Sequence, residues 1–266
     1  MNPSFSLDVF CRTVRGETPA RAPGSVLKDD ATPVTAVDQG IEAALRTLIL
    51  SHHPHDTIVG EEFPNQIGTT NTTWILDPID GTKAFLCGKP TFMTLLGTLE
   101  GGKPTFGAAY QPWLDDLFWI EGGQVLHRRG QGQPSVLSTA PVTALENARL
   151  STTSPHLFSE ANKSKFQALE SFIDTQRKAG KGKGFVTYGG DAYQYALLAS
   201  GTLDIVMEDQ LKVYDIMPLI PIVQNAGGVI TTWAGEAITL DTFDGSVLAA
   251  ANPALHRASL QFIREA

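Results

Sequence analysis

Cysteine is scarce in this 266-residue chain, with Cys11 and Cys87 as the whole complement. Two cysteines make neither a disulfide framework nor a thiolate metal cluster, so a reducing cytoplasm is the default expectation. Long apolar runs are missing too. No stretch reaches the roughly 18 apolar residues that a membrane-spanning helix needs, so no membrane span is expected. The opening MNPSFSLDVFCRTVRGE has Asp8 inside its only apolar run and no small-residue cleavage site, so it does not read as a signal peptide. Positive charge is in deficit: 20 Lys and Arg face 28 Asp and Glu, for a net charge of -8. That balance argues against a nucleic-acid surface. An enzyme this acidic that handled phosphate esters would need metal ions to offset the repulsion.

What the chain does have is an ordinary globular composition, 42% hydrophobic and 18% charged, enough for one large or two modest cores. Internal repeats and low-complexity segments are not found. A short N-terminal helix gives way to an irregular connection over 16–33, marked by Gly16, Pro19, Pro23, Gly24 and Pro33. From Asp38 the apolar residues Ile41, Ala44, Leu45, Leu48 and Ile49 fall at helical spacing until Pro54 breaks the pattern. TIVGEE and TTWILD are short β-prone runs that end in acids. TFMTLLGTL, PTFGAAY and DLFWI, separated by turn residues, read as an antiparallel meander, with GQGQP (130–134) as a loop.

After residue 140 strands and helices alternate. ARLSTT, GFVTY, LDIVME, GGVITTW and SVLAAAN read as strands. Helices are expected over 160–176 and 191–200, after Asp215, and from Pro253. The expectation is an α+β first half, 1–140, and an α/β second half, 141–266, with chemistry in the cleft between them.

The acids concentrate at strand ends. Glu61 and Glu62 end one β run, Asp77 ends another, and Asp80 lies in the turn beyond it. Asp38 opens a helix, and Asp215 stands at the start of another. Carboxylate oxygens suit a hard cation such as Mg²⁺, and no Cys/His cluster competes for a softer metal. In WILDPIDGTKAF (74–85), Pro78 and Gly81 bend the backbone so that Asp80 and the Ile79 carbonyl can face the side of Asp77. Gly81 and Thr82 offer N–H groups to an anion. Plainer readings stand beside these. Asp-Pro and Asp-Gly are common turn pairs, and Asp38 and Asp215 can each be an N-cap. An EF-hand loop fails because Ile79 stands where an oxygen ligand is required. His52, His53 and His55 read as a solvated loop.

Taken together and in order, PVTAVD (33–38), VGEE (59–62), LDPIDGT (76–82) and YD with a following apolar helix and AGG (214–228) closely resemble the inositol monophosphatase superfamily. The resemblance spans nearly the whole chain and implies a layered αβαβα sandwich, usually homodimeric, that hydrolyses phosphate monoesters with Mg²⁺. It implies that Glu61, Asp77 and the Ile79 carbonyl hold one ion and that Asp77, Asp80 and Asp215 hold a second, with a third, weaker one near Glu61. Asp38 and Thr82 would orient and deprotonate the attacking water, and Gly81 and Thr82 would bind the phosphate.

Within the superfamily, DPIDGTKAF, GAAYQPWLDDLFW, YGGDAYQYALLASGTLDIVMED and LKVYDIMPLIPIVQNAGG are similar to the histidinol-phosphatase branch, which implies L-histidinol phosphate as substrate and a place in histidine biosynthesis. Inositol 1-phosphate is the alternative. Gly190, Asp191 and Glu208, with Asp80, are the substrate-side candidates, since extra carboxylates favour a leaving group carrying an amine and an imidazole. Asp191 can equally be a helix N-cap, and Glu208 a surface acid at a strand end. Val213 departs from the branch, which often has Pro there, and Pro221 conflicts with a helix that starts at Asp215. A non-catalytic scaffold is the competing class, opposed by the completeness of the acidic set.

Overall fold

The computed structural model describes residues 6–24, 26–28 and 33–265. Helices α1 (Leu7–Glu17) and α2 (Ala36–His52) flank in sequence a small antiparallel pair, β1 (Val26–Leu27) and β2 (Pro33–Val34). A seven-stranded sheet follows in chain order: β3 (Thr57–Gly60), β4 (Thr72–Asp80), β5 (Met93–Glu100), β6 (Lys103–Gln111), β7 (Asp116–Glu121), β8 (Gln124–Arg129) and β9 (Ser135–Val136). β3 and β4 are parallel and the other pairs antiparallel, with the five-residue helix α3 (Thr82–Leu86) between β4 and β5. The second sheet has β10 (Arg149–Thr152), β11 (Phe185–Tyr188), β12 (Ile205–Glu208), β13 (Val229–Thr231) and β14 (Val247–Ala250) in the order β11-β10-β12-β14-β13. The remaining helices are α4 (Glu160–Lys178), α5 (Tyr193–Ala199), α6 (Val213–Ile216), α7 (Leu219–Asn225) and α8 (Pro253–Glu265).

Strand alternation builds the layers. In β4, Trp74 and Leu76 face Phe10, Ile41 and Leu45 of α1 and α2, whereas Ile75 faces the opposite core with Tyr195 and Ile222. In β12, Val206 joins that same middle core, while Ile205 and Met207 pack with Phe166 and Leu255 on α4 and α8. Side chains of period two therefore leave both faces of each sheet apolar, and each face takes a helical layer. The result is the expected αβαβα sandwich: α1 and α2, a sheet, α5 and α7, a sheet, α4 and α8.

Three local readings need correction. QVLHRR and Ser135–Val136 are strands β8 and β9, so the meander runs further than DLFWI. The helix after Asp215 is two helices, broken at Met217–Pro218. Pro221 then lies in the first turn of α7, where its missing N–H has no intrahelical partner to lose. His53 is not solvated: its side chain is 13% exposed, lies 3.6 Å from Asp56, and its ring is 5.2 Å from that of Trp74. Among the described residues no helix is long and apolar enough to cross a membrane, and both cysteines are free.

The break between α6 and α7 is seated on two glycines. Gly97 of β5 and Gly107 of β6 are paired across the sheet. A Cβ on Gly97 would lie 2.9 Å from the Pro218 Cα, and one on Gly107 would lie 1.9 Å from the Pro218 carbonyl oxygen. That close approach brings α6 against β4. A second tie joins α5 to the same sheet, where Tyr193 Oη donates to Asp116 (2.7 Å) beside Arg129 and His127. Burial would raise the Asp116 carboxyl, yet these three donors hold it below the usual carboxylate range.

Gly107→Ala is expected to cost about 1–3 kcal/mol, because the backbone at Pro218 must move. Gly24→Ala, with nothing near its Cβ, should stay within about 0.5 kcal/mol of wild type. Urea unfolding checks the pair; equal stabilities for the two variants would contradict the seating.

Candidate active site

Asp77 and Asp80 are three residues apart, so in a regular strand they would point to opposite faces. The register explains how they come together: Asp77 pairs with Leu95 and Asp80 with Met93, so Pro78 and Ile79 share the single partner position of Thr94. This bulge restores the parity and turns both carboxylates the same way. The irregularity suits its residues. Pro78 has no N–H to lose, and its carbonyl accepts from Thr94 Oγ1 at 2.7 Å.

Asp215 arrives on α6 as its third residue, where the Lys212 N–H donates to its Oδ2 (2.7 Å). Carboxylate oxygens of Asp77, Asp80 and Asp215 all lie within 4.8 Å of one another, with Asp77 buried. Burial pushes Asp77 and Asp80 well above the ordinary carboxylate range, and the neighbouring acids add to it. Burial likewise takes Asp215 up to about 6, against the Lys212 N–H that favours its charged form.

Glu61 lies outside this tight trio and bonds Lys28 Nζ at 2.8 Å, while Glu62 bonds the same ammonium at 2.6 Å. Burial raises Glu61 in spite of Lys28, and the charges of Asp215 and Asp38 contribute. Its loop is held from below by Glu42, a fully buried acid on α2 that accepts from the Glu62 N–H at 2.7 Å and from Arg46 at 2.8 Å. Only glycine at position 60 leaves Glu42 room, since a Cβ there would fall 2.2 Å from its Oε1.

Asp38 is not the N-cap of α2. Thr35 caps, and Asp38 is the third helical residue, accepting from the Thr35 N–H at 2.9 Å in a capping box. Its other oxygen faces Thr82 Oγ1 at 3.5 Å, and that hydroxyl lies 3.1 Å from the Ile79 carbonyl. Asp38, Thr82 and Ile79 therefore form one chain along the edge of the acidic trio. Gly81, at φ +82°, caps α3.

Asp191 is not an N-cap either. α5 begins at Tyr193, and Asp191 accepts from Thr91 Oγ1 at 3.1 Å. It adopts a left-handed φ of +43°, and a Cβ on Gly81 would meet its carboxyl carbon at 2.8 Å. Strain of this kind in a non-glycine residue clusters at ligand sites. The Ala192 N–H next to it donates to Asp80 Oδ2. Glu208 is no surface acid: it is 2% exposed, accepts from the Thr153 N–H at 2.6 Å, and is bonded by the Gln194 amide. Burial raises it to about 7. Gly190 lies beside Gln194, whose N–H donates to its carbonyl at 3.2 Å. A cavity of about 110 Å³ is lined by Asp80, Asp191, Glu208 and Asp215 together with Gln194, Tyr195, Thr153, Leu157 and Leu211.

A hard divalent cation fits the trio. Asp77 Oδ1 is buried without a hydrogen-bond partner among the described residues, and the donors are all oxygens. Lys28, Glu42, Gln194 and Tyr195 were not singled out from the sequence. Glu42 carried a signal, an acid among the apolar positions Ile41 and Leu45 of one helix face. The other three carried none.

A profile of the Inositol monophosphatase family matches residues 12–266. The bifunctional phosphatase IMPL2, chloroplastic, of Arabidopsis thaliana is 36% identical over 242 residues, 88% of this chain and 66% of the relative's length, so the chain spans just under two thirds of that protein. A histidinol-phosphatase of Mycobacterium tuberculosis is 34% identical over 211 residues, 79% of this chain and 78% of that one. An inositol monophosphatase structure from Zymomonas mobilis superposes with a TM-score of 0.78 at 34% identity, covering 97% of this chain and 94% of that one.

Raised carboxyls mean that the metal-free fold binds more protons than the unfolded chain. Its stability is then fully present below about pH 4, the unfolded value, and is lost as pH rises through the folded values, about 6 for Asp215. Asp77→Asn, which removes one charge, is expected to raise the metal-free Tm and to abolish the rise produced by Mg²⁺, worth about 2.7 kcal/mol at a hundredfold excess over Kd. Thermal melts with and without Mg²⁺ check this. A lower metal-free Tm, or a retained Mg²⁺ response, would contradict it.

Proposed function

Since this chain belongs to the inositol monophosphatase family and is a phosphatase, we propose that it is a Mg²⁺-dependent phosphomonoesterase acting on L-histidinol phosphate, yielding L-histidinol and phosphate within histidine biosynthesis in the cytoplasm. The observation that carries the reading is the convergence of Asp77, Asp80 and Asp215 beside a small cavity walled by two further acids, Asp191 and Glu208. Glu61, Asp77 and the Ile79 carbonyl would hold one Mg²⁺, and Asp77, Asp80 and Asp215 a second, with a weaker third at Glu61. When bound, the ions supply Lewis-acid charge that lowers the pKa of water and neutralises charge on phosphoryl and leaving oxygens.

The chain's own groups do the rest. Asp38 is fixed by Thr35, and its Oδ1 takes a proton of the attacking water through Thr82 Oγ1. The oxygen of that water bonds phosphorus as the ester P–O bond breaks, and the leaving alcohol takes a proton from solvent. The N–H groups of Gly81 and Thr82 at the start of α3 hold phosphate oxygens. Lys28 lies on Glu61 and Glu62, where it offsets the same carboxylates that a cation would. On the leaving-group side, Asp80, Gly190, Asp191 and Glu208 shape a negative pocket, which favours an amine or imidazolium over a neutral polyol.

Inositol 1-phosphate is the second reading, favoured by the 34% identity to the Zymomonas mobilis inositol monophosphatase, the same level as to the Mycobacterium tuberculosis histidinol-phosphatase. We also place a homodimer contact on the uncovered edge strand β11, where Phe185 and Tyr188 are 46% and 49% exposed.

Phosphate release with Mg²⁺ from histidinol phosphate, inositol 1-phosphate and fructose 1,6-bisphosphate tests the substrate. Histidinol phosphate is expected to lead in kcat/KM; a lead of about tenfold for inositol 1-phosphate, some 1.4 kcal/mol, would contradict the assignment. Asp80→Asn is expected to lower kcat by at least about a hundredfold with the fold intact, and near-normal turnover would refute its role. Light scattering should give twice the chain mass for wild type and a weakened dimer for Phe185→Asp; a wild-type monomer would overturn the dimer.

A further inference from the structure

The leaving-group cavity holds polar atoms that the acids do not account for. Gln194 is 1% exposed and Tyr195 2% exposed, and both line it. Gln194 Oε1 and Tyr195 Oη have no hydrogen-bond partner among the described residues. Buried polar atoms are nearly always satisfied, so two unpartnered ones on neighbouring residues that both line this cavity point to a polar ligand.

The orientation of the Gln194 amide follows from its neighbours. Glu208 Oε1 already accepts from the Thr153 N–H at 2.6 Å, so it is an acceptor, and only the amide nitrogen of Gln194 can face it favourably. The same nitrogen lies 3.4 Å from Thr153 Oγ1. The carbonyl oxygen is therefore turned away from Glu208. It lies against Gly190, where a Cβ would come within 3.1 Å of it, on the loop that carries Asp191. Gln194, with its unpartnered amide oxygen, thus lines one small space together with the carboxylates of Asp191 and Glu208, a set of acceptors that a hydrogen-bond donor satisfies and a further acceptor does not.

We infer that Gln194 is a specificity-determining residue of this pocket: it holds Glu208 through its nitrogen and offers its carbonyl oxygen to an N–H of the leaving alcohol. This rests on the phosphatase reading above and deepens it, by assigning the choice of a nitrogen-bearing alcohol to an uncharged side chain as well as to the acids. A site built to bond an N–H discriminates against an ester that lacks one, because its own buried acceptor is then left open.

Full-length protein with Mg²⁺ is assayed as wild type, Gln194→Met, which keeps the length without the carbonyl, and Gln194→Ala, which serves if the first does not fold. The substrates are L-histidinol phosphate and glycerol 2-phosphate, which has no N–H. The ratio of their kcat/KM values is expected to fall by about tenfold or more in the variants, chiefly through KM for the histidinol ester. Equal losses on both esters would reduce Gln194 to a prop for Glu208 and overturn the inference, as would an unchanged ratio. Calorimetric titration with L-histidinol separates this inference from the activity. Wild type should bind it about tenfold more tightly than Gln194→Met. If wild type hydrolyses no ester the phosphatase reading fails, and this titration alone decides the role of Gln194: tighter binding by wild type supports it, and equal or absent binding overturns it.

Discussion

Like charges brought together out of water are the constraint around which this molecule is built. Asp77, Asp80 and Asp215 place carboxylate oxygens within 4.8 Å of one another, and Glu61 adds its charge to the same neighbourhood. Left to themselves these groups resist both ionisation and proximity. The fold holds them by rigid means. A bulge in β4 aligns two of them, and a paired glycine seat under Pro218 brings in the third. Glu42 fixes the loop that carries the fourth. Each device belongs to a buried strand or helix, so the acids cannot drift apart to relieve the repulsion. A cation is the economical answer to that arrangement, and it is also what phosphoryl transfer requires.

The individual helices and strands were legible from periodicity, whereas their stacking into an αβαβα sandwich was what the family resemblance implied. Helical spacing in 41–49 reports directly which face of α2 is apolar, and the unbroken apolar run Trp74-Ile75-Leu76 fits a strand buried on both faces. Strands β8 and β9 escaped because QVLHRR has only two apolar residues, Val125 and Leu126, side by side without alternation, although Val125 is fully buried. The split at Pro218 depends on Gly97 and Gly107, more than a hundred residues away, and no local pattern announces it. Within the site, the strand-end acids were readable by position and the family resemblance implied their convergence, but the means of it was not legible. The parity problem of Asp77 and Asp80 is solved by a bulge that only the register with β5 reveals. An N-cap was the plainer alternative for Asp38 and for Asp191, because short acids before helices usually are caps. Their partners, Thr35 and Thr82 for one and Thr91 for the other, show otherwise. Lys28, Gln194 and Tyr195 belong to residue types found on any surface or in any core, so only the fold gives them meaning.

The metal side and the leaving-group side of the site are distinct in character. The first is a dense set of carboxylates whose oxygens suit a hard cation. The second mixes acids with uncharged polar side chains around a small cavity.

The central claim is that the acidic trio is a cation site. Anomalous diffraction at the manganese edge, from crystals grown with Mn²⁺, tests it directly. An anomalous peak in contact with Asp77, Asp80 and Asp215 is expected. Saturating Mn²⁺ that leaves no peak among these three residues would contradict it.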